Sequence, residues 1–531
     1  MATTRLLLPL LALSLYNFYF LNLGNFPFLG ADEPRYARIG EEMLLTQDFV
    51  TPTLNFRPWL EKPPLLFWIE ALSFRWFGVS EWSARLPVSV LSLLAALGCT
   101  LLLKRLHGLR IGLLALIILS SCPLFVIFSR AASTDAPLVA CLTLALIWAF
   151  QGYLTGGIAS AVAASIALGL AILAKGPVAL LLGLSIIVCF SILKGKTFWD
   201  LRQLLAGFLA LGATTVPWFW LVWKANGEDF ISTFILNHHL ARFFTDIHHH
   251  SQPFWFFFPV IIIGCFPWIT FLGSSLFRIL KRPSSLLDGE KGLRLYLWLW
   301  MVIPFLFFSL STSKLPGYIL PVVPPLAMLV ALEWKRLFGC EGKATRMLKI
   351  ELSLISAGFV LIGLILVFSV RIQYEASLAG VLLGFPLLIG ALLLHWPIRG
   401  YRLKAVFLVL TGTMVFFTGL AFWKVMPQIA SFHSSKNLVV AIRERLSSTQ
   451  PLIFYRFFHH TANYYSDYKV LSESIDDLEN LNTYLSQHPQ EIYLVLTQKA
   501  GFRELTDQLD VQRFQADGNQ FLLEVRFPRN K

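Results

Sequence analysis

Charge is scarce in this chain. Of its 531 residues only 14% are Asp, Glu, Lys or Arg, where a soluble protein would carry about a quarter. With 56% hydrophobic residues and a mean hydropathy of +0.64, that shortage excludes an ordinary soluble domain and places the chain among polytopic membrane proteins. Cysteine is also sparse. Cys99, Cys122, Cys141, Cys189, Cys265 and Cys340 form no C-x-x-C pair, and five lie in or beside apolar spans. A disulfide framework or a zinc ribbon is thereby excluded, and the thiols read as small buried apolar groups. No internal repeat, low-complexity tract or nucleotide-binding loop is present, so no nucleotide cofactor is expected. The net charge of +13 comes without any nucleic-acid recognition motif. Its basic residues cluster in short loops between apolar stretches, which is the positive-inside pattern, so nucleic acid is excluded as a partner.

What is abundant is long apolar sequence. A helix needs about 20 apolar residues to span a bilayer, and that length fits thirteen stretches: 5–23, 83–103, 111–129, 136–154, 157–174, 176–193, 203–223, 254–277, 295–312, 316–334, 350–370, 378–396 and 405–423. The first follows Arg5 with no A-x-A-like site after it and reads as an uncleaved anchor. Thirteen spans put the five basic loops, from Lys104–Arg110 to Arg399–Lys404, on one side, expected to be cytoplasmic. The opposite face then receives Gly24–Trp82, Arg130–Asp135, Lys175–Pro177, Lys224–Pro253, Ser311–Gly317 and everything after Trp423. The expected organisation is a membrane domain over 1–423, with 24–82 as its first external loop, and an α/β domain over 424–531. In the latter, strand-like Leu452–Phe457, Glu491–Thr497 and Gln520–Phe527 alternate with helical Ile475–Gln487 and Phe502–Leu509.

Nearly every polar motif falls on that one external face. ADEPRYARIG holds Asp32, Glu33, Arg35 and Tyr36; LEKPP holds Glu61 and Lys62. Charges so close to hydrocarbon are costly unless they face water, protein or a ligand. The ordinary reading of Asp32 is a helix N-cap, and of Glu61-Lys62 a capping pair before an interfacial helix, Leu65–Phe77. Asp135 in SRAASTDAPL opens a span, as a cap or facing a cavity. Lys175 in LAKGP and Lys314 in SKLPGY are placed to snorkel, and Tyr318 to join an interfacial aromatic belt. In ILNHHLARFF, His239 and Arg242 are three apart and share a helical face, whereas His238 points about 100° away. His239 paired with Glu61 could hold a divalent, zinc-like ion. His248–His250 and the pair His459-His460 read as solvated loop residues. Together these groups supply carboxylates, cations and a candidate metal pair, a set suited to a lipid-linked phosphate substrate.

The ordered motifs ADEPRYARIG, LEKPPLLFW, SRAASTDAP, LAKGP, NHHLARFF, PFWFFFP and SKLPGYILP resemble those of bacterial relatives of the protein O-mannosyltransferases. These are GT-C glycosyltransferases of the 39/83 type, and the resemblance is greatest to the transferases that place 4-amino-4-deoxy-L-arabinose on lipid A. It covers roughly residues 25–325. It implies an all-α GT-C membrane fold with a small extracytoplasmic α/β domain, in the bacterial inner membrane, and a polyprenyl-phosphate sugar donor used at the periplasmic face. It also implies inversion at the anomeric centre. By the same resemblance Asp32 and Asp135 are catalytic, Lys62 and Arg242 bind the donor phosphate, and Glu61 and His239 bind metal. Glu33, Arg35, Tyr36, Lys175, Lys314 and Tyr318 fall on other active-site positions. The implied acceptor is lipid A or another envelope glycan or protein. Transfer of mannose or another sugar to hydroxyls is the alternative within the class. A lipid-linked substrate transporter is the alternative outside it, and the absence of related halves weighs against that one.

Overall fold

The computed structural model describes residues 2–234, 251–281, 292–339, 346–374, 377–399, 402–446, 450–471, 474–488, 490 and 492–526. Among them nine helices are long and apolar enough to cross a bilayer. Two further pairs are bent, by 72° at Leu109–Ser120/Pro123–Ser129 and by 112° at Phe257–Gly264/Trp268–Lys281, and Leu8–Tyr19 and Val178–Lys194 are shorter apolar helices. These make thirteen segments, and each coincides with one of the thirteen apolar stretches of the sequence.

Local chemistry sets where they start and stop. Ser80 and Ser83 form a reciprocal capping box at the head of Glu81–His107, and Asp200 and Gln203 do the same for Leu201–Phe230. Each satisfies backbone N–H groups that a helix end otherwise leaves orphaned. Lys104, Arg105 and His107 crowd the last turn of the first of these helices, where the helix dipole favours cations. Pro123 opens the second half of the first bent pair, and the residue before it, Cys122, is extended, as the proline ring requires. The segment Pro316–Gly339 is 94% buried and forms the centre of the bundle, whereas Leu201–Phe234 is only 17% buried. The latter exposes Leu204, Phe208 and Leu209 on a surface suited to lipid.

The loop between the first two spans is structured. Helices Asp32–Thr46 and Leu65–Phe77 pack closely, because Gly40 has no side chain; a Cβ there would sit 3.0 Å from the Glu70 Cβ. Between them runs a small hairpin pairing Thr53–Leu54 with Arg57–Pro58. Its turn is organised by buried Glu42, which accepts from Arg38, the Thr53 hydroxyl and the Asn55 and Phe56 backbone N–H groups. The Trp218 indole donates to the Val50 carbonyl and Asn226 to the Thr51 hydroxyl, fastening the loop to the lipid-facing helix.

The tail contains a four-stranded sheet in the order Ile453–Phe454, Tyr493–Gln498, Gln520–Arg526, Asp510–Asp517; the first pair is parallel and the others antiparallel. Strand Asp510–Asp517 is a departure from the sequence expectation. It is an edge strand, mostly exposed, so it carries no apolar alternation to betray it. One face of the sheet is covered by the tail's own helices Leu478–Gln487 and Lys499–Gln508, through Leu481, Leu485 and Leu505. The other face shares a core with the first loop and the Arg130–Asp135 turn: Leu438, Val439, Phe454, Leu494 and Leu496 cluster with Phe28, Ala37 and Phe74 of the loop and with Ala132 of the turn.

Candidate active site

Helix Asp32–Thr46 does not begin as the sequence suggested. Ala31 occupies the cap position and makes no side-chain cap bond; Asp32 stands in the first turn. Its carboxylate accepts instead from Arg35 Nη2 at 2.6 Å and keeps 49% of its side chain exposed. Arg35 is held in turn by its Nε–H donating to the Ala31 carbonyl. Burial opposes the Arg35 charge, but Tyr36, Asp32 and Glu61 outweigh it and raise its pKa. Glu61-Lys62 does not cap a helix either, since helix Leu65–Phe77 starts three residues later behind Pro64. The pair lies in an irregular segment, half-buried, with Lys62 Nζ 3.3 Å from the Glu61 carbonyl.

Tyr36 ties these groups to the rest of the site. Its ring is buried against Trp59 and Phe67, at centroid distances of 5.9 and 5.8 Å. Its hydroxyl pKa is pushed well up, first by burial and then by Asp32, Asp135 and Glu61, with Arg35 opposing. Three carboxylates from three separate segments are thus close enough to act on one phenol.

Asp135 and Lys175 are forty residues apart in sequence and form an ion pair. Asp135 opens helix Asp135–Thr155 but makes no cap bond; Thr134 occupies that position. Lys175 ends helix Ile158–Lys175, and the chain turns away through Gly176 at φ 88°. The ammonium therefore does not simply snorkel. It binds Asp135 and sits 4.6 Å from the centre of the Tyr318 ring, a favourable cation–π distance. Gly317 allows this approach, because a Cβ there would meet Asp135 Oδ2 at 2.9 Å.

Two residues of the expected set are held in buried hydrogen-bond networks. Glu33 points away from Asp32 and is 6% exposed. Arg85 grips it with Nε and Nη2, at 2.8 and 2.7 Å, and the Leu29 and Ala132 backbone N–H groups complete its shell. Arg85 also donates to the carbonyls of Leu23, Phe26 and Pro27. This brace joins the end of the first span, the first loop, helix Glu81–His107 and the Arg130–Asp135 turn, with no acceptor site left for a substrate. Lys314 likewise is buried and donates to the Gln252 and Ser311 carbonyls, which makes it a strut between two loops.

His239 and Arg242 fall outside the described residues, as do His248–His250. Among the described residues no three of His, Cys, Asp and Glu converge on a common point. The pair His459-His460 is not solvated as its sequence suggested. Both rings are half-buried, and the pKa of each falls to about 4. For His460 burial acts first, then Arg35 and His459, with Asp32 opposing. Helix His460–Tyr465, which His460 opens, packs on helix Asp32–Thr46.

Sequence reasoning missed Arg85, yet a signal existed. An arginine at the start of an apolar span is costly unless a buried partner awaits it. It also missed Glu70, which is fully buried against Gly40 with neither oxygen hydrogen-bonded among the described residues.

The loops carrying these groups all meet on one face of a helical bundle, and that arrangement has counterparts. Over 99% of its length the chain superposes on the ArnT protein of Cupriavidus metallidurans bound to undecaprenyl phosphate, covering 98% of that chain with a TM-score of 0.79 at 23% identity. The chain has the GT-C glycosyltransferase fold. An oligosaccharyltransferase from Archaeoglobus fulgidus is a more distant structural neighbour, at a TM-score of 0.52 and 13% identity over 92% of this chain and 69% of the neighbour. Residues 61–220 match the family model for dolichyl-phosphate-mannose-protein mannosyltransferase. In sequence the chain is similar to undecaprenyl phosphate-alpha-4-amino-4-deoxy-L-arabinose arabinosyl transferases. It is 31% identical to one from Proteus mirabilis, over 56% of this chain and 54% of the relative. It is 32% identical to one from Pseudomonas aeruginosa, over 59% and 57%. The match spans a little over half the length of these curated relatives.

Proposed function

We propose that this protein is an inner-membrane glycosyltransferase that takes a sugar from a polyprenyl-phosphate donor and places it on an envelope acceptor at the periplasmic face. The favoured reaction is transfer of an aminoarabinose-type sugar to a lipid A phosphate. The observation that carries this reading is the convergence of Asp32, Arg35, Tyr36 and Glu61 with the Asp135–Lys175 pair on one face of a GT-C bundle. Similarity to the arabinosyl transferases supports the choice of donor. The basic loops gathered on the opposite face support a periplasmic site.

In this reading Lys62 and Arg242 bind the donor phosphate, and Lys175, oriented by Asp135 and Tyr318, adds positive charge close by. As the anomeric carbon–oxygen bond breaks, charge grows on the departing polyprenyl phosphate. Cations fixed in a partly dry site stabilise that change more than water does. The acceptor oxygen forms the new bond from the opposite side, so the anomeric centre inverts. An ionised lipid A phosphate needs no proton removed. Asp32, half-exposed and fixed by Arg35, then orients the acceptor and balances charge on the sugar. With a hydroxyl acceptor, the alternative suggested by the mannosyltransferase match, Asp32 takes the proton. Glu61 and His239 are the residues that would hold a divalent ion, which would supply positive charge to help neutralise the leaving phosphate.

The test is reconstitution. Purified protein supplied with undecaprenyl phosphate-linked aminoarabinose and lipid A should yield lipid A heavier by one sugar in mass spectra. Asp32→Asn, which loses the charge that orients the acceptor, should lower the rate by about 10²-fold with an unchanged melting temperature. Normal turnover in a folded Asp32→Asn protein would overturn the site. Transfer to protein or glycan instead of lipid A would overturn the acceptor.

A further inference from the structure

Arg38 belongs to the same motif as Asp32 and Arg35, yet the site described above gives it no part. It lies on helix Asp32–Thr46 with only 11% of its side chain exposed. Its Nη1 donates to Glu41 and its Nε to Glu42, each at 3.0 Å. Two aromatic rings from separate segments lie against the same guanidinium. The Phe56 ring, from the hairpin turn, is centred 5.6 Å from Arg38 Cζ, and the Tyr468 ring, from the tail, 4.9 Å. Both are within cation–π reach.

Neither ring fills a core. Among the described residues Phe56 and Tyr468 belong to no hydrophobic cluster, and Phe56 is 58% exposed. Their backbones are unusual as well. Phe56 stands at φ 57° after Asn55 at φ 57°, and Tyr468 at φ 60° after Asp467 at φ 53°. A two-residue hairpin turn with both central residues left-handed ordinarily ends in glycine, and a bulky side chain in that region is a steric outlier. Both turns are nonetheless fixed. The Asn55 and Phe56 N–H groups donate to Glu42. The Tyr468 N–H donates to the Asn463 carbonyl at 2.9 Å, and Arg443 holds the Asp467 carboxylate. Two separate segments thus carry backbone strain at the very residue that brings a ring to Arg38. Such strain persists where the surroundings over-determine it, and it gathers at functional sites.

The hairpin leads directly to the site. Past its second strand, the Trp59 N–H donates to the Pro52 carbonyl at 2.8 Å. The Trp59 ring packs on Tyr36 and Phe67 at 5.9 and 6.1 Å, and Glu61-Lys62 follows two residues later. Arg38 grips this hairpin twice, through Glu42 at the turn backbone and through the Phe56 ring, while the tail bears on it through Tyr468. We propose that Arg38 is a positioning residue through which the tail and the hairpin set the Glu61-Lys62 segment against the donor phosphate. This rests on the glycosyltransferase reading given above, in which Lys62 binds that phosphate. Arg38 acts through the hairpin and not by touching the donor. The tail thereby does more than cover the site: it stiffens the joint on which a donor-binding lysine is mounted.

The experiment compares full-length wild-type, Arg38→Lys, Phe56→Gly and Tyr468→Gly proteins, with undecaprenyl phosphate-linked aminoarabinose as donor and lipid A as acceptor. Arg38→Lys keeps a cation for Glu41 and Glu42 but loses the planar fork that stacks on rings. The glycine variants remove a ring where the backbone suits glycine, so their melting temperatures should equal or exceed that of wild type. The donor KM should nonetheless rise, about threefold on loss of either ring and about tenfold in Arg38→Lys. The acceptor KM should stay within about twofold of wild type. Adding Tyr468→Gly to Arg38→Lys should change little more, because the two residues act through one contact. An unchanged donor KM in Arg38→Lys or in Tyr468→Gly would overturn the proposal. So would equal rises in both KM values with lowered melting temperatures, the mark of a purely structural role. If Arg38→Lys does not fold, the two glycine variants decide the matter by the same criteria. A wild-type protein that transfers nothing to lipid A would instead reject the reading on which the proposal rests.

Discussion

The brace between Glu33 and Arg85 sets the first loop on the membrane bundle, and breaking it should cost stability before it costs chemistry. Glu33 accepts four hydrogen bonds, two from Arg85 and one each from the Leu29 and Ala132 backbones. Arg85 is 0% exposed. Glu33→Gln removes the charge and turns an NH₂ toward groups that are all donors. It leaves a buried guanidinium with one amide oxygen and the Leu23, Phe26 and Pro27 carbonyls, but no counter-charge. Removing one partner of a buried pair costs about 3–5 kcal/mol, whereas replacing both by apolar side chains of similar size is often near neutral. A large membrane protein unfolds irreversibly, so the suitable measure is the half-life of folded protein in detergent at fixed temperature. If most of that energy is lost before the unfolding barrier, the half-life should fall by about a hundredfold in Glu33→Gln and in Arg85→Met. The double variant Glu33→Leu/Arg85→Met should recover much of it. Residual kcat per folded molecule should stay near normal. Half-lives within twofold of wild type in both single variants would refute the brace. Loss of kcat with an unchanged half-life would return Glu33 to the reacting site.

Further outcomes follow from other buried groups. Glu70 lies outside the spans, and burial, aided by Glu33, raises its pKa well above the usual carboxylate range. The folded protein therefore binds a proton there that the unfolded chain releases. This contribution favours folding least at high pH; it weakens by about 1.4 kcal/mol per pH unit from the unfolded pKa upward, until the folded pKa is reached. Glu70→Gln should accordingly stabilise the protein more at pH 8 than at pH 5, and equal melting shifts at the two values would exclude a protonated Glu70. Tyr465→Phe removes the hydroxyl that joins Phe28 to Glu81. It should weaken tail docking by about 1–3 kcal/mol, read as faster limited proteolysis of the tail, and an unchanged digestion rate would count against that contact. At the site itself, Lys175→Met leaves Asp135 without its cation. It should lower transfer by at least tenfold while leaving the fold intact, and unaltered kinetics would exclude Lys175 from the reaction.

Much of this molecule was legible in one dimension, because a bilayer imposes a length on every apolar helix. All thirteen stretches became helical segments, and the basic loops separated from the polar motifs by simple alternation. Asp32, Glu61, Asp135 and Lys175 stood out since charge beside hydrocarbon is expensive and therefore conspicuous. The same cost made Arg85 conspicuous too, but only its partner could say what it does. Glu33 and Asp32 are adjacent, and on a helix adjacent side chains point about 100° apart. One therefore entered a buried brace and the other faced the open site, a division that composition and spacing do not contain. Lys314 found loop carbonyls within reach, and His460, read as a solvated residue, is half-buried where the tail docks on the first loop. Sequence by itself determined the membrane architecture and which residue types crowd one face. Tertiary structure alone decided which of those charges neutralise one another and which are left to meet a substrate, because pairing depends on distances across segments that the chain brings together only when folded.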